Sequence, residues 1–116
     1  MTLTPDGTGL DGLLEAAMSA CGTLPSPAET ATIHRRLVAE IRLRLPGAER
    51  AMARVPVRSR AWYAHQRVID ATRDALLSGG VEPDPSASPL VAAMRVSELG
   101  RRLRDLSVYP AGSEDA

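Results

Sequence analysis

Several residue types are missing from this sequence of 116 residues. It contains no lysine, asparagine or phenylalanine, and it has one cysteine. A single cysteine can form neither a disulfide nor a thiolate zinc site within one chain, so the fold must be held by packing. The aromatic side chains are Trp62, Tyr63 and Tyr109, and the other large apolar residues are Leu, Val, Ile and Met. This palette suits interdigitating helices better than a β-sandwich.

Long apolar runs and signal-like segments are also lacking. No stretch approaches the ~20 consecutive apolar residues that cross a bilayer. Met1–Leu14 is acidic and Gly-rich rather than signal-like. We therefore expect a cytoplasmic protein that makes no membrane contact.

Recognisable cofactor and metal motifs are absent as well. Gly79-Gly80 lacks the surrounding glycines and the lysine of a phosphate-binding loop. Neither histidine has a carboxylate at metal-ligand spacing on its own helix. The sequence therefore predicts no cofactor, no metal and no recognisable catalytic set.

The composition that is present is typical of a single globular domain, with 44% apolar and 24% charged residues. Both ends of the chain are rich in Pro, Gly, Ser and acidic residues, as frayed termini usually are. We predict a helical domain over residues 9–109, between a flexible segment 1–8 and a flexible acidic tail 110–116.

Apolar periodicity predicts four helical segments. The first is short, from about Asp11 to Cys21, with Cys21 as a small core residue. The second begins at Ser26, where Ser26-Pro27-Ala28-Glu29 is a capping-box start. It continues, kinked at Pro46, to about Val55.

The last two predicted helices run from Ser59 to Ser78 and from Ser88 to Tyr109. Gly79-Gly80 ends the first of them, and the second shows a four-three apolar spacing like that of a coiled coil. Short connections between long helices favour antiparallel neighbours. The predicted fold is all-α, an up-and-down antiparallel bundle of three long helices plus a short N-terminal helix.

Four side chains interrupt or line the predicted apolar stripes and define a candidate pocket between the second and third helices: His34, Arg44, His65 and Trp62. An imidazole there could act as acid or base, and an arginine could clamp the carboxylate or phosphate of an anionic metabolite. The alternative is structural: a buried histidine is usually satisfied by a carbonyl or water, and an arginine extends to solvent.

Positive charge is concentrated in the middle of the chain. Residues 35–67 contain nine arginines and two glutamates, a formal charge of +7, although the whole chain is neutral. Nucleic acid is one candidate partner, because Arg50, Arg54, Arg58 and Arg60 precede the Trp62-Tyr63 pair. Neutralisation between packed segments explains the asymmetry equally well.

The stretch from Leu37 to Pro56, LVAEIRLRLPGAERAMARVP, resembles a family of uncharacterised small helical proteins from high-GC bacteria. The shared features are Leu45, Pro46 and Glu49 at the helix centre and the Val55-Pro56 exit. Members of this family are labelled natural-product biosynthesis proteins. The resemblance implies a helical domain of unknown function, possessing no assigned reaction.

Four amphipathic segments without a catalytic set favour a non-enzymatic accessory or interaction protein. We expect it to bind a protein partner or a second copy of itself. An anion-binding pocket or enzyme, and a nucleic-acid-binding protein, are the alternatives.

Overall fold

A computed structural model describes residues 9–110, and these residues form four α-helices and no strand. The helices are α1 (Leu10–Thr23), α2 (Pro27–Ala53), α3 (Arg60–Gly79) and α4 (Pro89–Leu106). The predicted all-α class is confirmed for this part of the chain. The division into three long helices and a short one is wrong, because α1 has 14 residues and α4 only 18. The up-and-down antiparallel order stays a prediction.

The predicted flexible segment 1–8 and residues 111–116 of the predicted tail 110–116 lie outside the described residues. Pro110, which the prediction assigned to the tail, is described and lies four residues after the end of α4.

Serine side chains start three of the helices. The Ser26 hydroxyl accepts a hydrogen bond from the Glu29 amide at 3.1 Å, and the Glu29 carboxylate accepts one from the Ser26 amide at 3.0 Å. Ser59 and Ser88 cap α3 and α4 in the same way, each accepting from the amide three residues ahead. The predicted starts are confirmed, because each serine satisfies an amide that has no partner within its helix.

Helix ends follow the predictions less closely. α2 continues through Pro46, as predicted, but ends at Ala53 instead of Val55. α4 ends at Leu106, three residues before the predicted Tyr109. There the Ser107 hydroxyl donates to the Arg104 carbonyl at 2.7 Å. Serine side chains favour such local hydrogen bonds to the backbone, which compete with the hydrogen bonds of a continued helix.

One apolar core joins all four helices. α4 lies against each of the other three, and α1 packs mainly on α4, with no close backbone approach to α3 within the described chain. The largest side chains that are fully buried belong to Leu13, Leu37, Ile41, Ile69, Val96, Leu99, Leu103 and Leu106. α1 and α4 approach closely at Gly100, where an added Cβ would lie 2.6 Å from the Ala17 methyl.

Cys21 is exposed, which corrects its prediction as a core residue. The buried positions of α1 are Leu13, Ala17 and Ala20, a four-three spacing. Cys21 points about 100° away from Ala20 around the helix, so it leaves the narrow strip that α4 covers.

Candidate functional site

His34 is buried, with 3% of its surface exposed, as its position on the α2 stripe predicted. Its Nε2 atom lies 3.1 Å from the carbonyl oxygen of Gly80, the residue that caps the end of α3. Because a carbonyl can only accept, Nε2 carries the proton and donates it. The imidazole therefore ties the first turns of α2 to the end of α3.

His65 makes a different connection. Its Nδ1 atom lies 2.6 Å from the Tyr109 hydroxyl, and the two rings are tilted with their centroids 5.6 Å apart. Burial raises the pKa of Tyr109 above its ordinary value of 10.0. This contact ties the start of α3 to the segment that follows α4.

Arg44 and Trp62 have local partners. Arg44, half-buried, pairs with the carboxylate of Glu40 one turn earlier on α2. Trp62 is half-buried and packs edge-on against Tyr63, with ring centroids 5.1 Å apart. Both arrangements are typical of side chains at the margin of a core.

The four predicted pocket residues do not share a pocket. The cavity that His34 lines includes neither Arg44, Trp62 nor His65 among its walls. His34 touches the residue after α3, whereas His65 lies in the second turn of that helix. At 1.5 Å per residue these positions are about 20 Å apart along α3.

The cavity at His34 has a volume of about 430 Å³ and lies between the first turns of α2, the first turns of α4 and the loop over residues 80–88. We call it the α2–α4 cavity. Its walls are mainly proline and alanine, with Thr30, His34, Arg35, Asp84 and Arg95 as the polar residues. The prolines are Pro25, Pro27, Pro83, Pro85 and Pro89.

Two loose ion pairs hold the loop beside this cavity. The nearest nitrogen–oxygen distance is 3.6 Å both for Arg35 with Glu82 and for Arg95 with Asp84. Asp84 bonds more closely to Ser86, whose hydroxyl and amide donate to one carboxylate oxygen at 2.7 and 2.9 Å. These bonds, and secondarily Arg95, lower the pKa of the exposed Asp84 carboxyl.

A second feature is an apolar surface on the first half of α4. Leu90, Val91 and Met94 are exposed there, Leu90 by 51% and Met94 by 56%. We call these three residues the α4 apolar face. Val91 and Met94 also line a shallow groove of about 290 Å³ between α3 and α4.

The third feature is the arginine segment, residues 50–67. It contains five arginines and no carboxylate. Arg54, Arg58 and Arg60 are exposed, whereas Arg50 is half-buried and has a partner. Tyr63 is also exposed, so this surface combines positive charge with one accessible aromatic ring.

Sequence reasoning missed the α2–α4 cavity and the α4 apolar face. The face did leave a signal, because Leu90 and Met94 stand four residues apart and off the stripe of Val96, Leu99 and Leu103. The cavity left none, because a loop and two helix starts form it, and their placement depends on tertiary packing.

Two classes of site are not found in the part of the chain that is described. Residues 9–110 contain no group of three or more His, Cys, Asp and Glu side chains that could hold a metal ion. No helix among them is long and apolar enough to span a membrane.

Comparison with known proteins gives a family and no function. No curated protein and no solved structure matches the chain. Residues 9–110, which are all the residues that the structure describes, match a family of unknown function. The chain therefore belongs to the family of unknown function DUF6415.

Proposed function

We propose that this chain is a non-enzymatic interaction protein that binds through the α4 apolar face, and that its partner is a second copy of the chain. The observation that carries the proposal is the exposure of Leu90, Val91 and Met94 on the side of α4 that faces away from the core.

An amphipathic helix at the surface of a protein normally turns charged residues to solvent. The second half of α4 does so with Arg101, Arg104 and Asp105, which are all exposed. The first half presents leucine, valine and methionine instead, beside the groove that α3 and α4 form. A contiguous exposed apolar patch rimmed by polar residues is typical of an interaction surface.

Charge favours a second copy as the partner. The chain carries 14 basic and 14 acidic residues, so two copies do not repel each other through net charge. The groove beside the face is lined by one cation, Arg95, and one anion, Glu98. In a two-fold interface the same surface of both copies meets, so the cation of one copy can face the anion of the other. Such a surface is therefore complementary to itself.

Sedimentation equilibrium tests this proposal. We expect the purified chain to dimerise with a Kd of about 10 to 100 µM, as suits a small apolar interface. Met94→Glu should give a monomer across that range, because each copy would then bury a carboxylate against the other's apolar side chains. Since Met94 is exposed, the helical circular dichroism spectrum should not change.

Val57→Glu is the matched control, because Val57 is 72% exposed, lies in the turn before α3 and gains the same charge. It should dimerise like the unchanged chain. The proposal would be contradicted by a wild-type chain that stays monomeric at ten times the upper limit of this Kd range. Equal dissociation of the two variants would contradict it as well.

The arginine segment supports a second candidate function, binding of single-stranded nucleic acid. Arg54, Arg58 and Arg60 can contact phosphates while the exposed ring of Tyr63 stacks on a base. We expect retardation of a fluorescent single-stranded oligonucleotide that weakens steeply with salt. Replacing the three arginines by glutamine should abolish it, whereas Arg101→Gln with Arg104→Gln should not. Absence of salt-sensitive retardation excludes this function.

We extend the proposal to a cytoplasmic accessory role in natural-product biosynthesis. Its support is the resemblance of residues 37–56 to proteins that carry this label. Deleting the gene should lower the yield of a secreted natural product, and reintroducing the wild-type gene, but not the Met94→Glu variant, should restore it. An unchanged product profile in the deletion strain contradicts this role.

A further inference from the structure

The α2–α4 cavity is the most enclosed of the sites described above, and the self-association proposal makes no use of it. We propose that it binds a small organic anion, a molecule with an apolar body and one carboxylate or sulfonate group. Three features of the cavity favour such a ligand: its proline-rich walls, its two arginines from different helices and the anchoring of its loop by His34.

The walls fit a small, largely apolar molecule. A volume of about 430 Å³ falls within the range of pockets that take small organic ligands. Five prolines and four alanines line it, so most of the surface that a ligand would touch is hydrocarbon. Proline fixes its own backbone angle φ, so these walls lose little freedom when a ligand binds.

Two arginines reach the cavity from different helices, Arg35 from α2 and Arg95 from α4. Each faces a loop carboxylate at 3.6 Å, which is longer than a hydrogen bond. The Oδ1 atom of Asp84 accepts both bonds from Ser86, and Arg95 faces the Oδ2 atom at this longer distance. A ligand carboxylate or sulfonate that accepts bidentate bonds at about 2.8 Å is a better partner for either guanidinium.

The remaining polar groups around the cavity favour the same charge. α2 and α4 both begin at its wall, at Pro27 and Pro89, and the start of a helix carries a partial positive charge. Asp84 is the only carboxylate among the lining residues. Within the wall itself, two arginines and two helix starts therefore outweigh one carboxylate, because Glu82, the partner of Arg35, is not among the lining residues.

His34 acts here as a positioning residue. By donating its Nε2 proton to the Gly80 carbonyl, it fixes the start of the loop that carries Pro83, Asp84 and Pro85 to the cavity wall. A cavity whose loop side is anchored in this way is already formed before a ligand arrives.

Fluorescence titration with two probes tests the proposal. Anilinonaphthalene sulfonate has an aromatic body and one sulfonate, and N-phenylnaphthylamine has the same ring system without the charge. We expect saturable binding of the sulfonate at one molecule per chain, with an affinity about tenfold or more above that of the neutral probe.

Paired substitutions then locate the site. Arg35→Gln with Arg95→Gln should weaken binding of the sulfonate by about tenfold or more and leave the neutral probe almost unaffected. Arg101→Gln with Arg104→Gln removes the same charge from α4 outside the cavity and should change neither probe. Ala31→Leu, which adds volume to the cavity wall, should weaken both probes.

Three outcomes would overturn the proposal: equal affinity for the two probes, an unchanged sulfonate affinity in the Arg35 and Arg95 double variant, or loss of binding in Met94→Glu. The last outcome would place the probe on the α4 apolar face, which does not line this cavity. Sedimentation equilibrium measures self-association independently of the probes. Failure of the anion-binding proposal can therefore be distinguished from failure of the self-association proposal.

Discussion

Gly100 allows α4 to approach α1 so closely that a Cβ added there would lie 2.6 Å from the Ala17 Cβ. Both atoms are attached directly to helix backbones, so neither can rotate away. We expect Gly100→Ala to lower the free energy of unfolding by about 1 to 3 kcal/mol, measured by urea denaturation. Gly22→Ala is the control, because nothing lies within 4 Å of that added methyl. It should be neutral or stabilise by up to about 1 kcal/mol; similar losses in both variants would contradict this reasoning.

Tyr109 gives the fold a predictable response to alkaline pH. Because burial raises the pKa of Tyr109 in the folded state, the folded chain retains this proton at a pH where the unfolded chain has lost it. The resulting stability is fully present below pH 10.0 and is lost as the pH rises through the folded-state pKa.

We therefore expect Tyr109→Phe to flatten the alkaline part of a plot of unfolding free energy against pH. At neutral pH it should cost about 0.5 to 1.5 kcal/mol, because the bond to His65 is lost. Tyr63→Phe, at an exposed ring, should retain the alkaline decline. A Tyr109→Phe chain with the same alkaline decline as wild type would refute this assignment.

At the scale of the helix, the capping box at Ser26 is the best-defined start. Ser26→Ala removes the acceptor of the Glu29 amide and should cost about 1 kcal/mol of unfolding free energy. Ser19→Ala is the matched control, since the Ser19 hydroxyl donates to the Glu15 carbonyl within α1 and caps nothing. Thermal melts of both variants should show a loss for Ser26→Ala alone, and equal melting temperatures would contradict the role of the cap.

The starts of helices could be predicted from the sequence, and their ends less well. Ser26, Ser59 and Ser88 each accept a hydrogen bond from the amide three residues ahead, so a stretch of four residues is enough to predict the cap. Beyond the end of α4 at Leu106, Tyr109 contacts His65, a residue 44 positions away in the sequence. No local pattern contains that information.

At the scale of the whole molecule, α1 covers α4 with Leu13, Ala17 and Ala20. A chain that begins at Leu24 would expose that strip of α4, and we expect it to lose the cooperative thermal transition of the full chain. A peptide of residues 9–23, added in excess, should restore the transition in circular dichroism and calorimetry. A truncated chain that melts as cooperatively as the full one would show that the core does not need α1.

The candidate sites were less predictable than the fold. The periodicity of α2 correctly placed His34 in the interior, but its partner is a backbone carbonyl at the end of α3. A pocket shared with His65 would require the two histidines to lie at the same level of α3. Instead, His34 contacts the residue that follows α3, whereas His65 lies near the start of that helix.

The exposed cysteine of α1 has a practical consequence. Cys21 is the single thiol of the chain and Trp62 its single tryptophan, and they lie on α1 and α3, two helices whose backbones are not close within residues 9–110. A thiol-reactive dye therefore labels one known position without any engineering. Energy transfer from the indole to that dye reports directly on the separation of the two helices during unfolding.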